Sequence, residues 1–121
     1  MQEASKQLLE QIAHRLRAMA NPLRLRILHT LEGGELSVNE ILERVGGSQG
    51  NVSRHLGVLH GADLVTRRRQ GNNIYYAISD EAVFAICSTV CDSLLERAAA
   101  DVEAIERARA EILGHGSDAV H

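Results

Sequence analysis

Three consecutive arginines, Arg67-Arg68-Arg69, followed by Gln70, Gly71, Asn72 and Asn73, form the most chemically pointed stretch of this chain. Guanidinium groups carry permanent positive charge on fork-shaped donors that suit phosphate oxygens, and amides beside them can bind base edges. A second set, Ser48, Gln49, Asn51, Ser53, Arg54 and His55, lies a few residues upstream. Gln and Asn match the donor–acceptor edge of adenine, Arg matches guanine, and Ser reaches phosphate or base edges. Cys87 and Cys91 are a third candidate. On a helix, a spacing of four sets their β-carbons ~5–6 Å apart on one face. They could then share a soft ion or, with local distortion, close a disulfide.

The charge distribution separates the first two sets from ordinary solvated surface. The chain as a whole carries −3. Residues 1–43 sum to −1, residues 44–78 to +4 and residues 79–121 to −6. The middle segment is a local cation, and attraction to phosphates follows local potential rather than total charge.

Positioning these groups is a matter of helices. With no Trp, one Phe and two Tyr in 121 residues, the core must come from Leu, Ile, Val and Ala. The spacing of Leu8, Leu9, Ile12, Leu16 and Met19 predicts an amphipathic helix over about 3–20. Asn21-Pro22 is a cap followed by a first-turn proline, so a second helix starts there and stops at Gly33-Gly34. Ser37-x-x-Glu40 has capping-box spacing and opens a third helix, which ends at Gly46-Gly47. Ser48 caps a fourth, running to about His60 and burying Val52, Leu56 and Leu59. Two short helices across a Gly-containing turn form a helix-turn-helix over 37–60. Alternation in residues 64–78, interrupted by Gln70-Gly71-Asn72, predicts a β-hairpin in which Gly and Asn supply positive φ. A last helix over 80–113 repeats Phe84, Cys91, Ala98, Ile105 and Ile112 every seven residues, with Cys87, Leu94 and Ala108 beside them. Such a stripe outruns what one small domain can bury and predicts pairing with a second copy. Residues 114–121 read as a flexible tail. The expectation is a single mainly α domain over 1–121 with a small β-hairpin, a winged helix-turn-helix dimerising through its terminal helices.

In residues 18–78 the chain resembles the ArsR/SmtB family of winged-helix repressors. The matching stretches run from Ala18 to Leu28, Glu35 to Val38, Ser48 to Leu59, Gly61 to Val65 and Arg69 to Tyr76, in the family's order. The resemblance implies a homodimer on an inverted-repeat operator in double-stranded DNA, released when an inducer binds or modifies the protein. Metal-sensing relatives carry a cysteine where this chain has Ser37, and others a histidine in the stretch corresponding to Asp80-Glu81-Ala82-Val83. Both of those metal sites are missing here.

Sensing is therefore left to Cys87 and Cys91, as a thiol redox or reactive-sulfur switch, as ligands to a soft metal or metalloid, or as packed apolar side chains without a sensing role. Two thiolates do not complete a tetrahedral site, so a metal would need ligands from the partner copy, with His14 and His115 as candidates. No cofactor is required. His29, His55 and His60 fit helix surface or packing better than ligation. An enzyme is not expected: a mid-helix cysteine lacks the free amides that hold a thiolate, and no Ser/His/Asp set or phosphate-cradling glycine loop occurs. A winged helix that binds protein instead of DNA is the alternative from another class. No apolar run reaches the ~18–20 residues of a membrane span and no secretory profile opens the chain, so no membrane partner and a cytoplasmic location are expected.

Overall fold

The computed structural model describes the backbone of residues 2–120 and the side chains of residues 2–113. The expected tail at 114–121 lies outside the residues whose side chains are described, as does the side chain of His115. Two compact units are present, Met1–Phe84 and Ala85–His121.

The first unit holds α1 (Glu3–Met19), α2 (Pro22–Thr30), a short 3-10 turn at Leu31–Gly33, β1 (Leu36–Ser37), α3 (Val38–Val45), α4 (Gln49–Gly61), β2 (Val65–Gln70) and β3 (Asn73–Ile78). Local chemistry sets these boundaries. Asn21 Oδ1 accepts from the backbone N–H groups of Leu23 and Arg24, at 2.9 and 3.1 Å, with Pro22 in the first turn of α2. The capping box of α3 is complete: Ser37 Oγ accepts from Glu40 N–H at 3.2 Å, and Glu40 Oε1 accepts from Ser37 N–H at 2.9 Å. Gly46 and Gly47 both have positive φ, 77° and 85°, which bends the chain between α3 and α4.

Ile27, Leu28, Leu31, Ile41, Val52, Leu56, Leu59 and Leu64 make the centre of the core, each at most 2% exposed. The sheet has three strands in the order β1-β3-β2, all antiparallel. β1 pairs Leu36 with Tyr76 and Ser37 with Tyr75, a strand not expected from the sequence because two residues show no alternation. In the hairpin Gln70 faces Asn73 across a two-residue turn. Only Gly71 there has positive φ (60°), so Asn72 does not supply the second one that was expected. A positive φ at the first turn position is what a type II′ hairpin reserves for glycine.

Helix α5 is a continuous Ala82–Val120. Its first turn is held by Asp80 Oδ1, which accepts from Ala82 N–H at 3.0 Å. Phe84 does not join the outward stripe; it packs edge-on against His29, with ring centroids 5.4 Å apart. Beyond it, Leu94, Ile105 and Ile112 are 63%, 67% and 80% exposed, while on α1 Leu8, Leu9, Ile12 and Leu16 are exposed as well. Among the described residues no helix is long and apolar enough to cross a membrane.

Candidate nucleic-acid interface

Helix α4 buries Val52, His55, Leu56 and Leu59 and turns Gln49, Ser53 and Arg54 to solvent, with Asn51 half-buried between. Ser48 is its N-cap, with Oγ accepting from Asn51 N–H at 3.2 Å. The amides of the first turn stay open beside it, the positive end of the helix and a seat for an anion. Arg54 Nη2 donates to Asn51 Oδ1 at 2.8 Å, which ties the arginine and the amide together.

His55 corrects the sequence reading. Expected among the exposed polar groups, it is 5% exposed and joins the buried stripe. The signal was available, since position 55 lies three residues after Val52 and four before Leu59, in phase with the apolar face. Its Nδ1 lies 3.1 Å from Arg24 Nη1 and its Nε2 lies 3.4 Å from Arg54 Nη2. Burial, reinforced by the Arg54 and Arg24 charges, pushes its pKa below the ordinary 6.5. Arg24, on α2, was not singled out in the sequence; nothing in its local pattern indicates a contact 31 residues away.

The wing divides its three arginines between two faces. Arg67 pairs with Tyr76 and Arg69 with Ile74, placing both on the face from which Val65 and Tyr76 enter the core. Both are exposed, and among the described residues neither forms an ion pair. Arg68 sits on the opposite face and is occupied. Its Nε and Nη2 donate to Glu35 Oε2 and Oε1 at 2.8 and 2.7 Å, its Nη1 donates to Gln70 Oε1 at 2.7 Å, and its guanidinium lies 4.7 Å from the Tyr75 ring centroid. The hydrogen bond from Arg68 holds the Glu35 carboxyl below the ordinary carboxylate range. Of the three arginines expected to meet phosphates, Arg67 and Arg69 are thus without an ion pair among the described residues and Arg68 is committed. Asn72 and Asn73 are exposed at the turn.

Cys87 and Cys91 are not joined in a disulfide; Cys87 is half-buried and Cys91 exposed. Among the described residues no group of three or more His, Cys, Asp or Glu side chains is placed to hold a metal ion. Asp80, in the stretch for which the resemblance implied a histidine in metal-sensing relatives, forms an ion pair with Arg15.

Comparison with known proteins agrees with this geometry. The helix-turn-helix domain family matches residues 19–68. The nodulation protein NolR of Rhizobium meliloti is 43% identical over 77 residues, covering 64% of this chain and 63% of its own length. The transcriptional repressor SmtB homolog of Synechocystis is 36% identical over 87 residues, covering 72% of this chain and 66% of its own length. The chain thus spans slightly under two thirds of these curated relatives. A homodimeric winged helix-turn-helix DNA-binding domain from Mycobacterium bovis, described as a possible ArsR-family transcriptional regulator, superposes with a TM-score of 0.71 at 36% identity, covering 80% of this chain and 93% of that one. Helix order, capped turn, wing and these relatives agree, and the chain belongs to the ArsR/SmtB family of winged-helix transcriptional repressors.

Proposed function

We propose that the chain acts as a homodimer on an inverted repeat in duplex DNA, represses transcription there, and is released through the thiols of α5. In this reading α4 enters the major groove with Gln49, Asn51, Ser53 and Arg54 on base edges and Ser48 near phosphate. Arg67 and Arg69, with Asn72 at the turn, follow the backbone or the minor groove beside it, while Gln70 and Asn73 lie on the Arg68 face of the wing. The observation that carries the reading is the pair of exposed arginines, without an ion pair among the described residues, on one face of the wing of an otherwise acidic protein. Arg68, tied to Glu35 and Tyr75, braces the wing.

A gel-shift titration against the DNA upstream of the protein's own coding sequence tests this. Substituting Arg67→Ala and Arg69→Ala together weakens binding about tenfold or more at low salt and lowers the salt slope by about 0.9 for each phosphate no longer neutralised. Arg68→Ala has a much smaller effect on affinity. An unchanged slope in the double variant sinks the assignment of the wing and favours a protein-binding surface.

The release step rests on Cys87 and Cys91, one turn apart on α5. Oxidation by a peroxide would join the two sulfurs with loss of two protons and two electrons to the oxidant; an inorganic polysulfide would bridge them by one inserted sulfane sulfur, a second sulfane sulfur taking the two electrons and leaving with the thiol protons as hydrogen sulfide. Cys87→Ser with Cys91→Ser keeps full DNA binding and no longer releases DNA on treatment with either reagent. A double variant that still releases returns the cysteines to packing. Arsenite and zinc in the same assay test soft-metal sensing.

A further inference from the structure

At the end of α1 Arg17 O accepts from the Ala20 N–H at 3.2 Å, and the last carbonyls, Ala18 O among them, have no partner inside the helix. Arg24 reaches them from α2, Nε donating to Ala18 O at 2.6 Å and Nη2 to Arg17 O at 3.3 Å. A cation at a helix C-terminus is favourable, so this anchor is held by charge as well as by geometry. The remaining nitrogen, Nη1, lies 3.1 Å from His55 Nδ1. Across the same imidazole, Nε2 lies 3.4 Å from Arg54 Nη2, which donates to Asn51 at 2.8 Å.

The imidazole in the middle decides what these linked side chains do. A guanidinium only donates, whereas a neutral imidazole has one N–H and one accepting lone pair. His55 therefore accepts from one arginine at a time. The shorter contact and the fixed anchor both favour Arg24, so Nδ1 accepts and Nε2 carries the proton. That N–H faces Arg54, offers it no acceptor and leaves Asn51 Oδ1 as its partner. At 5% exposure the imidazole is closed to the solvent that could otherwise supply an alternative partner.

We propose that Arg24 and His55 are positioning residues for Arg54: by occupying the only lone pair of the buried imidazole, Arg24 directs the Arg54 guanidinium onto Asn51 and toward the bases. The inference rests on the reading of α4 as the DNA-facing helix. It also places the control of that side chain outside α4, at the end of α1.

Arg24→Lys keeps the cation but has no fork to span the α1 carbonyls and His55. The experiment is a double-mutant cycle of R24K with R54A, read by fluorescence anisotropy on the duplex that the wild-type protein selects from a randomised pool and on a scrambled duplex of equal composition. R24K weakens binding to the selected duplex about tenfold and leaves the scrambled duplex unchanged, because only base reading is disturbed. R54A weakens it as much or more, and the double variant is no weaker than R54A alone. Should R24K fail to fold, His55→Phe takes its place in the same cycle, with His55→Gln, which retains an acceptor, expected to rescue. Additive losses, equal losses on both duplexes, or an R54A or R24K protein that binds like wild type each overturn the inference. A wild-type protein that selects no duplex at low salt overturns the DNA reading itself.

Discussion

Leu56 and Ile27 are 0% exposed, while Leu94 and Ile105, side chains of the same two kinds, are 63% and 67% exposed. The first pair lies in the unit that closes its own core, the second on α5, whose apolar stripe is exposed among the described residues. Burial of a Leu or Ile side chain is worth about 1.5–3 kcal/mol, so the open stripe is a large unused driving force. Hydrophobic content alone therefore does not say where a core is. Within residues 18–84 the helices supply each other's partners; along α5 the stripe needs a second chain, which the dimer reading provides.

Breaking the closed side has the larger effect. Leu56→Ala removes buried methyl groups from the middle of α4 and costs about 3 kcal/mol. In urea unfolding, its deficit relative to wild type stays constant as protein concentration is raised, because the cavity lies inside each protomer. Ile105→Glu strikes the open side. It weakens dimerisation at least about tenfold, roughly 1.4 kcal/mol, and sedimentation equilibrium shows dimer recovered as concentration rises. An unchanged dimer dissociation constant in this variant would place the seam elsewhere.

The two sides were also unequally legible in the sequence. Asn21-Pro22, Ser37-x-x-Glu40 and Gly46-Gly47 are devices that act within a few residues, so helix boundaries and the helix-turn-helix could be read directly. The apolar stripe of α5 was legible for the same reason, although Phe84, its first expected member, was drawn to His29. What stayed hidden depends on contacts between distant residues. Strand β1 exists because Leu36 and Ser37 meet β3 about forty residues later. Arg68 is committed because Glu35, 33 residues earlier, comes beside it. In the candidate interface the residue types of α4 and the wing were visible, but which arginines were free was not. The burial of His55 could have been read from its phase; its place between two guanidinium groups could not.

That place gives the closed side a pH signature. Burial, with the adjacent Arg54 and Arg24 charges, lowers the pKa of His55 in the folded state, while the unfolded chain titrates it near 6.5. Between the depressed folded value and 6.5 the unfolded state holds more protons, so stability rises with pH in that window. Full stability is present above 6.5, falls as pH drops below it, and the loss levels off beneath the folded pKa. Glu35 and Glu40, whose pKa values are also lowered, act below their ordinary 4.5 and lie outside this window. Urea midpoints at pH 7.5 and 5.5 should differ less for His55→Phe than for wild type. Parallel behaviour of the two proteins would mean that other groups carry the acid sensitivity.

The smallest effect lies at the rim of the closed unit, where α4 hands over to the wing. Asp63 has φ +59°, the one non-glycine residue in the left-handed region among those described. Leu64 N–H donates to Leu59 O at 3.0 Å and Asp63 N–H to His60 O at 3.1 Å, the pair of bonds that defines a Schellman motif. Asp63 O also accepts from Ser79 Oγ at 2.6 Å, joining the end of the helix to the end of β3. None of these bonds uses the side chain of Asp63, so the aspartate adds only a Cβ in a crowded conformation and a negative charge at the negative end of a helix. Asp63→Gly removes both and keeps every hydrogen bond, at the cost of more freedom in the unfolded chain. Relief of a left-handed L-residue, roughly 1–2 kcal/mol, outweighs the glycine entropy cost of roughly 0.5–1 kcal/mol, and the variant should be more stable by about 0.5–1 kcal/mol in thermal unfolding, with DNA affinity unchanged. A destabilised Asp63→Gly protein would show that the carboxylate does more than occupy the turn, and the junction between helix and wing would then belong with the polar network of α4.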